Sequence, residues 1–218
     1  MSSDAVQGLR ARSDEFILLI LSSPSGAGKT TLCGSLQSSF PDLRFSVSHT
    51  TRRPRSNEQD GREYHFVERK VFEEMIAQDA FVEWAEVHGN LYGTSLAEVD
   101  KARVGHSGVL FDVDYQGARQ IRSRLPEAVT VFVLPPSLEE LERRLRNRAS
   151  DDEATIVRRL AAALGEIEHY GLFDYLVVND DLDRASEQLR GIVLSERCRR
   201  SRSARLAERM LLDARSKH

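Results

Sequence analysis

The segment LSSPSGAGKTT, Leu21 to Thr31, constrains the fold of this chain more than any other stretch. It follows the apolar run Phe16–Leu21 and precedes a helix-compatible stretch, Thr30–Ser39. A glycine-rich turn between a buried strand and a helix aims successive backbone N–H groups at an anion and puts the positive helix end behind them. Gly28, Lys29 and Thr30 supply the end of the phosphate-loop pattern G-x-x-x-x-G-K-[ST]. A triphosphate nucleotide is therefore expected on Ser23, Pro24, Ser25, Gly26, Ala27, Gly28, Lys29, Thr30 and Thr31. Lys29 would reach the β- and γ-phosphates, and the Thr30 hydroxyl would bind Mg²⁺. Asp112 and Asp114, which end VLFDVD, are candidates for orienting that ion through water. The first position of the pattern holds Ser23 instead of glycine. Serine fits there with a negative φ, whereas a left-handed conformation would cost ~1–2 kcal/mol. Its φ is expected to be negative, with the side chain turned away from the phosphates.

Four runs are apolar, broken only by Thr130 in the third: Phe16–Leu21, Val109–Phe111, Val129–Leu134 and Leu176–Val178. Runs without alternation fit strands covered on both faces, as in a parallel sheet between helices. The expected class is α/β, a phosphate-loop core whose parallel sheet is flanked by helices. Two insertions interrupt it. Residues 48–105 are aromatic and partly alternating (EYHFVE, AFVEWAEV, GNLYGTS), which predicts a small, mostly antiparallel lobe with one helix, roughly Glu68–Gln78. Residues 137–170 read as two amphipathic helices, with capping boxes at Ser137/Glu140 and Ser150/Glu153. Leu138, Leu141 and Leu145 share a face of the first, and Ile156, Leu160, Leu164 and Ile167 one of the second. The core is then 15–47, 106–136 and 171–195. Residues 1–14 form a flexible start, and 196–218 a solvated basic helix.

Composition excludes some partners. The net charge of −3 gives no general attraction to nucleic acid or an anionic membrane. No apolar run approaches the length of a membrane span, and the start lacks the apolar centre of a secretory signal. Cys33 and Cys198 suggest no disulfide framework, so a reducing cytoplasmic compartment is expected. His49, His65, His88 and His106 show no metal-ligand spacing.

The segment SVSHTTRRPR carries Arg52 and Arg55 around a stiffening Pro54. Paired guanidinium forks suit a phosphate dianion, and their charge does not titrate away. Tyr64 and Tyr92 could add hydroxyl donors, and Glu83 sits in an apolar, aromatic setting.

Together SSPSGAGKTT, SVSHTTRRPR, GREYHFV, FVEWAEVHGNLYGTS, FDVDYQGA and VVNDDL resemble guanylate kinase in order and spacing, from about Phe16 to Leu194. That resemblance implies Mg-ATP-dependent phosphorylation of GMP to GDP. It implies that Ser48, Arg52, Arg55, Tyr64 and Tyr92 hold the GMP phosphate. Glu83 would read guanine, assisted by Thr94 and Asp112. Lid arginines, best matched by Arg148 and Arg159 with Arg144 as a third candidate, would contact ATP on closure, and Asn179 would lie near the adenine. Ala149 follows Arg148 where glycine is common in the family. The chemistry of Glu83 agrees: guanine presents N1–H and the N2 amino group side by side, and one carboxylate accepts both. Adenine offers an acceptor at N1 and no N2 donors, and sites matched in this way discriminate by roughly 10⁴ or more.

Two other readings stand beside this one. A non-enzymatic scaffold of this type would bind phosphorylated peptides through the acceptor lobe, but such modules usually lack an intact phosphate loop. A related kinase would take a different nucleoside or sugar phosphate. The substrates expected are ATP and GMP, and a homo-oligomer is left open.

Overall fold

In a computed structural model, the structure describes residues 16–87, 89–147 and 152–216. Strand β1 (Ile17–Ser22) enters the phosphate loop and helix α1 (Lys29–Ser39) leaves it. Then come β2 (Leu43–Phe45), β3 (His49–Thr50), β4 (His65–Phe66), α2 (Arg69–Ala77), β5 (Phe81–Val87) and β6 (Asn90–Ser95). Next are α3 (Leu96–Arg103), β7 (Gly108–Asp112), α4 (Tyr115–Arg124) and β8 (Val129–Leu134). The chain continues with α5 (Leu138–Arg146), α6 (Glu153–Ile167), β9 (Tyr175–Val178), α7 (Leu182–Arg197) and α8 (Arg200–Arg215).

Strands β2-β7-β1-β8-β9 form one sheet, and every neighbouring pair in it is parallel. The unbroken apolar run of β1 follows from its central place. Ile17, Leu19 and Leu21 pack with Leu32, Leu36, Leu189 and Val193 of α1 and α7. Leu18 and Ile20 pack on the opposite face with Val99, Ala102, Ala118 and Ile121 of α3 and α4. Each buried leucine, isoleucine or valine among them contributes about 1.5–3 kcal/mol. Strand β9 departs from the expectation. It is an edge strand, and Leu176 and Val178 remain 48% and 40% exposed because nothing among the described residues covers that face.

The second sheet has the order β4-β3-β6-β5, antiparallel except where β3 meets β4. Its small core, Phe72, Phe81 and Leu91, is closed by α2. The expectation of one helix between residues 48 and 105 is corrected: α3 is a second helix, and its Val99 and Ala102 pack on the parallel sheet. Helices α5 and α6 pair through Leu141, Leu145, Ala163 and Leu160. Ser137 caps α5 by accepting from Glu140 N–H at 3.2 Å. The second cap is Asp152, which accepts from Thr155 N–H at 2.8 Å, rather than Ser150, which lies outside the described residues. Leu138 and Leu164 are exposed, so the apolar stripes predicted for these helices are only partly buried.

Candidate active site

Phosphate loop and lid meet at backbone groups. Gly28 caps α1 with φ 94°, and Gly26 has φ 98°, both in the left-handed region that favours glycine. Among the described non-glycine residues only Asp79 has a positive φ, so Ser23 fits its position without strain. Its hydroxyl donates to the Pro24 carbonyl at 3.1 Å, the same oxygen that accepts Ala27 N–H at 3.1 Å. A Cβ on Gly28 would lie 2.3 Å from Asn179 Nδ2, and one on Gly26 would lie 2.9 Å from Leu141 Cδ1. Glycine is needed here for close packing as well as for φ.

Asn179, buried at the end of β9, donates through Nδ2 to the Ala27 carbonyl at 2.7 Å. Arg144 of α5 donates to the carbonyls of Asn179 (2.9 Å) and Ala27 (3.4 Å), while Glu140 accepts from its Nε at 2.8 Å. Helix α5 is therefore docked on the loop. A cavity of about 500 Å³ opens beside it, lined by Gly26, Gly28, Thr31, Arg144, Asn147 and Leu182 among others. Lys29 Nζ lies 2.6 Å from Asp112 Oδ1 and donates to the Val113 carbonyl at 2.9 Å. Asp114 caps α4, accepting from Gly117 N–H at 2.8 Å. Pro24 is buried, while Ser25, Thr30 and Thr31 are exposed. Arg159 lies half-buried on α6, and Arg148 falls outside the described residues.

The acceptor side has two parts. In the first, Arg52 offers its Nη2 to both oxygens of Glu58, at 2.8 and 3.0 Å, and its guanidinium lies over Tyr64 at 5.5 Å. Tyr64 meets Tyr92 edge-on at 5.9 Å. Glu58 also accepts the backbone N–H of Arg55 at 2.7 Å, and the Arg55 side chain is exposed. The Arg52 guanidinium, with that N–H, holds the Glu58 carboxyl below its ordinary range.

In the second part, β5 carries a register shift between Phe81 and Glu83, which places the Glu83 carboxylate inside. Its Oε1 accepts Thr94 N–H at 2.8 Å and the Thr94 hydroxyl at 2.7 Å. Because the Thr94 hydrogen goes to Glu83, the Ser48 hydroxyl, 2.9 Å away, donates to Thr94. No described residue hydrogen-bonds Oε2. Burial pushes the Glu83 carboxyl up to about 7, against the two Thr94 bonds and with the charge of Asp114.

Residues 16–196 match the family model described as guanylate kinase. The chain belongs to the guanylate kinase family. It is 54% identical over 187 residues to the guanylate kinase of Myxococcus xanthus, covering 85% of this chain and 90% of that one. The Geobacter sulfurreducens guanylate kinase is 50% identical over 188 residues, covering 86% and 93%. The crystal structure of guanylate kinase from Anaplasma phagocytophilum superposes with a TM-score of 0.69 at 31% identity, covering 86% of this chain and 89% of that one.

Set against the residues expected from sequence, the fold groups some differently. The Ser48 hydroxyl joins Glu83 and Thr94, away from the Arg52–Glu58 pair. Asp112 stands on the ATP side through Lys29, and Asn179 braces the loop through Ala27. Glu58 was not picked out from sequence. Its one signal is position, as the first acid after a run of three arginines in TTRRPRSNE.

Proposed function

We infer that the chain transfers the γ-phosphoryl group of MgATP to GMP, giving ADP and GDP. The carrying observation is the buried Glu83 carboxylate, with one oxygen saturated by Thr94 and the other left for a ligand. A guanine edge with two adjacent donors matches it, and an adenine edge leaves it facing a lone pair.

The roles divide by place. Glu83, Thr94 and Ser48 read the base, while Arg52, Arg55, Tyr64 and Tyr92 hold the GMP phosphate. That phosphate is ionised near neutral pH, so no general base is needed. The barrier is repulsion between two anionic groups brought into line, and it is lowered by positioning and by fixed positive charge. Lys29 leaves Asp112 to meet the β- and γ-phosphates, and the loop N–H groups and the α1 N-terminus complete the cradle. The cavity beside Arg144 takes the adenosine end. Residues 48–105 act as the acceptor lobe and 137–170 as the lid, with Arg148 and Arg159 as lid cations. Closure of both excludes the water that would otherwise take the phosphoryl group.

The oxygen donors at the loop suit a hard cation. The Thr30 hydroxyl is exposed at the first turn of α1, and Asp112 is partly exposed beside Lys29. Mg²⁺ is commonly held by one or two protein oxygens plus phosphates and water, so no protein cage is required. Thr30, with Asp112 and Asp114 through water, would hold it, and it would supply charge neutralisation on the β- and γ-phosphates. No described helix is long and apolar enough to cross a membrane. Free Cys33 and Cys198 suit a reducing cytoplasmic compartment.

A coupled ADP-release assay with GMP, AMP, UMP and a sugar phosphate tests this reading. Turnover confined to GMP is expected. Equal turnover with AMP would sink the guanine assignment, and no turnover with any acceptor would favour a phosphopeptide scaffold.

A further inference from the structure

The guanine-reading strand is held from outside its own sheet. Strand β5 is the edge of the lobe sheet, so one side of its backbone has no strand partner. Gln120 of α4 fills that side at one residue: its Oε1 accepts Trp84 N–H at 3.0 Å, and its Nε2 donates to the Trp84 carbonyl at 3.0 Å. A single side-chain amide thus does for Trp84 what a neighbouring strand would do.

Trp84 directly follows Glu83, and the β5–β6 register is broken just before, between Phe81 and Glu83. A bulge loosens the ladder where it occurs. Pairing resumes at Glu83, and the next residue, Trp84, is the one that Gln120 grips. One turn earlier on α4, a Cβ added at Gly117 would stand 3.4 Å from Glu83 Oε2, so the same helix backs the carboxylate. Ala118 and Ile121 of α4 lie in the main core, in one cluster with Val82 of β5, so the helix packs on the lobe strand as well as on the parallel sheet.

We propose that Gln120 is a positioning residue for guanine recognition: its amide fixes the Trp84 backbone and so aims the Glu83 carboxylate at the base. It acts through Glu83 and does not touch the nucleotide. The proposal rests on the reading of Glu83 as the guanine contact. It predicts that acceptor selectivity depends on a residue of the core helix that carries no charge.

The test compares wild type with Gln120→Met, which keeps length and loses both bonds, and Gln120→Glu, which keeps only the acceptor. KM and kcat are measured for GMP, for IMP and for ATP. IMP retains N1–H and lacks the N2 amino group, so the GMP-to-IMP preference reports how Glu83 is aimed. Two hydrogen bonds at roughly 0.5–1.5 kcal/mol each correspond to about tenfold. The expected result is a GMP KM about tenfold higher in Gln120→Met, a smaller rise in Gln120→Glu, and an eroded GMP-to-IMP preference. The ATP KM should stay within about twofold of wild type, as the ATP loop does not touch this pair. Unchanged GMP KM and selectivity in Gln120→Met would overturn the proposal. So would a parallel rise in the ATP and GMP KM values, which marks a general structural tether. If Gln120→Met does not fold, Gln120→Glu decides by the same criteria. Wild type inactive on GMP would instead defeat the underlying reading of the site, and is seen before any variant is made.

Discussion

The glycine-rich loop and the lobe of residues 48–105 both gather cationic side chains, and they hold them in different ways. At the loop, Arg144 is tied to the carbonyls of Ala27 and Asn179, and Lys29 to the Val113 carbonyl as well as to Asp112. In the lobe, Arg52 is held by the Glu58 carboxylate, six residues away. Backbone braces come from segments far apart in sequence and fix a shape. A local carboxylate partner can be exchanged, since a phosphate dianion offers the same fork a stronger partner. Under the proposed function, the loop would be built before ATP arrives, whereas Arg52 would exchange Glu58 for the GMP phosphate.

The largest expected effect tests the charge common to both sides. Lys29→Ala should lower kcat by about 10³-fold with the fold intact, the scale of losing one preorganised electrostatic contact. Near-normal turnover would remove Lys29 from the phosphate role. Glu83→Gln should lower kcat/KM for GMP by roughly 10²-fold or more and leave the ATP KM unchanged; equal losses for both substrates would place Glu83 elsewhere.

Glu83 also gives the acceptor side a pH signature. Its carboxyl, raised to about 7, must be ionised to accept the two guanine donors. GMP affinity should therefore weaken as pH falls through about 7. Titration of the GMP phosphate is common to both proteins, so the difference between wild type and Glu83→Gln isolates the carboxylate. The stability effect has the opposite sense. Because the folded-state value lies above the unfolded one, this site's contribution is full below the unfolded carboxyl value and declines as pH rises toward 7. A wild-type GMP affinity that is flat relative to Glu83→Gln across pH 6–8 would contradict the assignment.

The two smallest effects separate fixed from exchangeable support. Asn179→Ala removes the 2.7 Å bond to the Ala27 carbonyl, leaving it the longer one from Arg144, and should cost about 1 kcal/mol in unfolding free energy. Glu58→Gln touches a surface pair and should change stability by less than about 1 kcal/mol, while shifting the GMP KM a few-fold. The contrast fails if Asn179→Ala melts like wild type and Glu58→Gln does not.

What the sequence shows of this fold depends on burial. Strands β1, β7 and β8 are legible as apolar runs because both faces are covered, whereas the exposed side chains of β9 show that the same pattern also occurs at an edge. Two-residue strands such as β3 and β4 are too short to have a period. Helix α3 escapes notice because LAEVDKAR offers only Val99 and Ala102 to the core. Near α6, both Ser150 and Asp152 are cap-forming residue types, and only geometry selects Asp152. In the site, residues whose type carries the chemistry stand out: the glycine loop, Lys29, the arginine pair and Glu83. Partners defined by contact do not. Arg144 on Ala27, Asn179 on Ala27 and Gln120 on Trp84 each satisfy a distant backbone group that leaves no sequence pattern.

The Asn179 brace also bears on the order in which the protein is made. Ala27 leaves the ribosome long before Asn179 does, yet among the described residues the Ala27 carbonyl has its side-chain partners on Asn179 and Arg144. Asn179 is in turn fixed by its backbone N–H to the Leu134 carbonyl, at 2.8 Å, once β9 has joined β8. A nascent chain ending before β9 therefore carries the whole glycine-rich motif without its bracing. The bracing of this loop is a late acquisition in synthesis, completed only when the last strand of the sheet is in place.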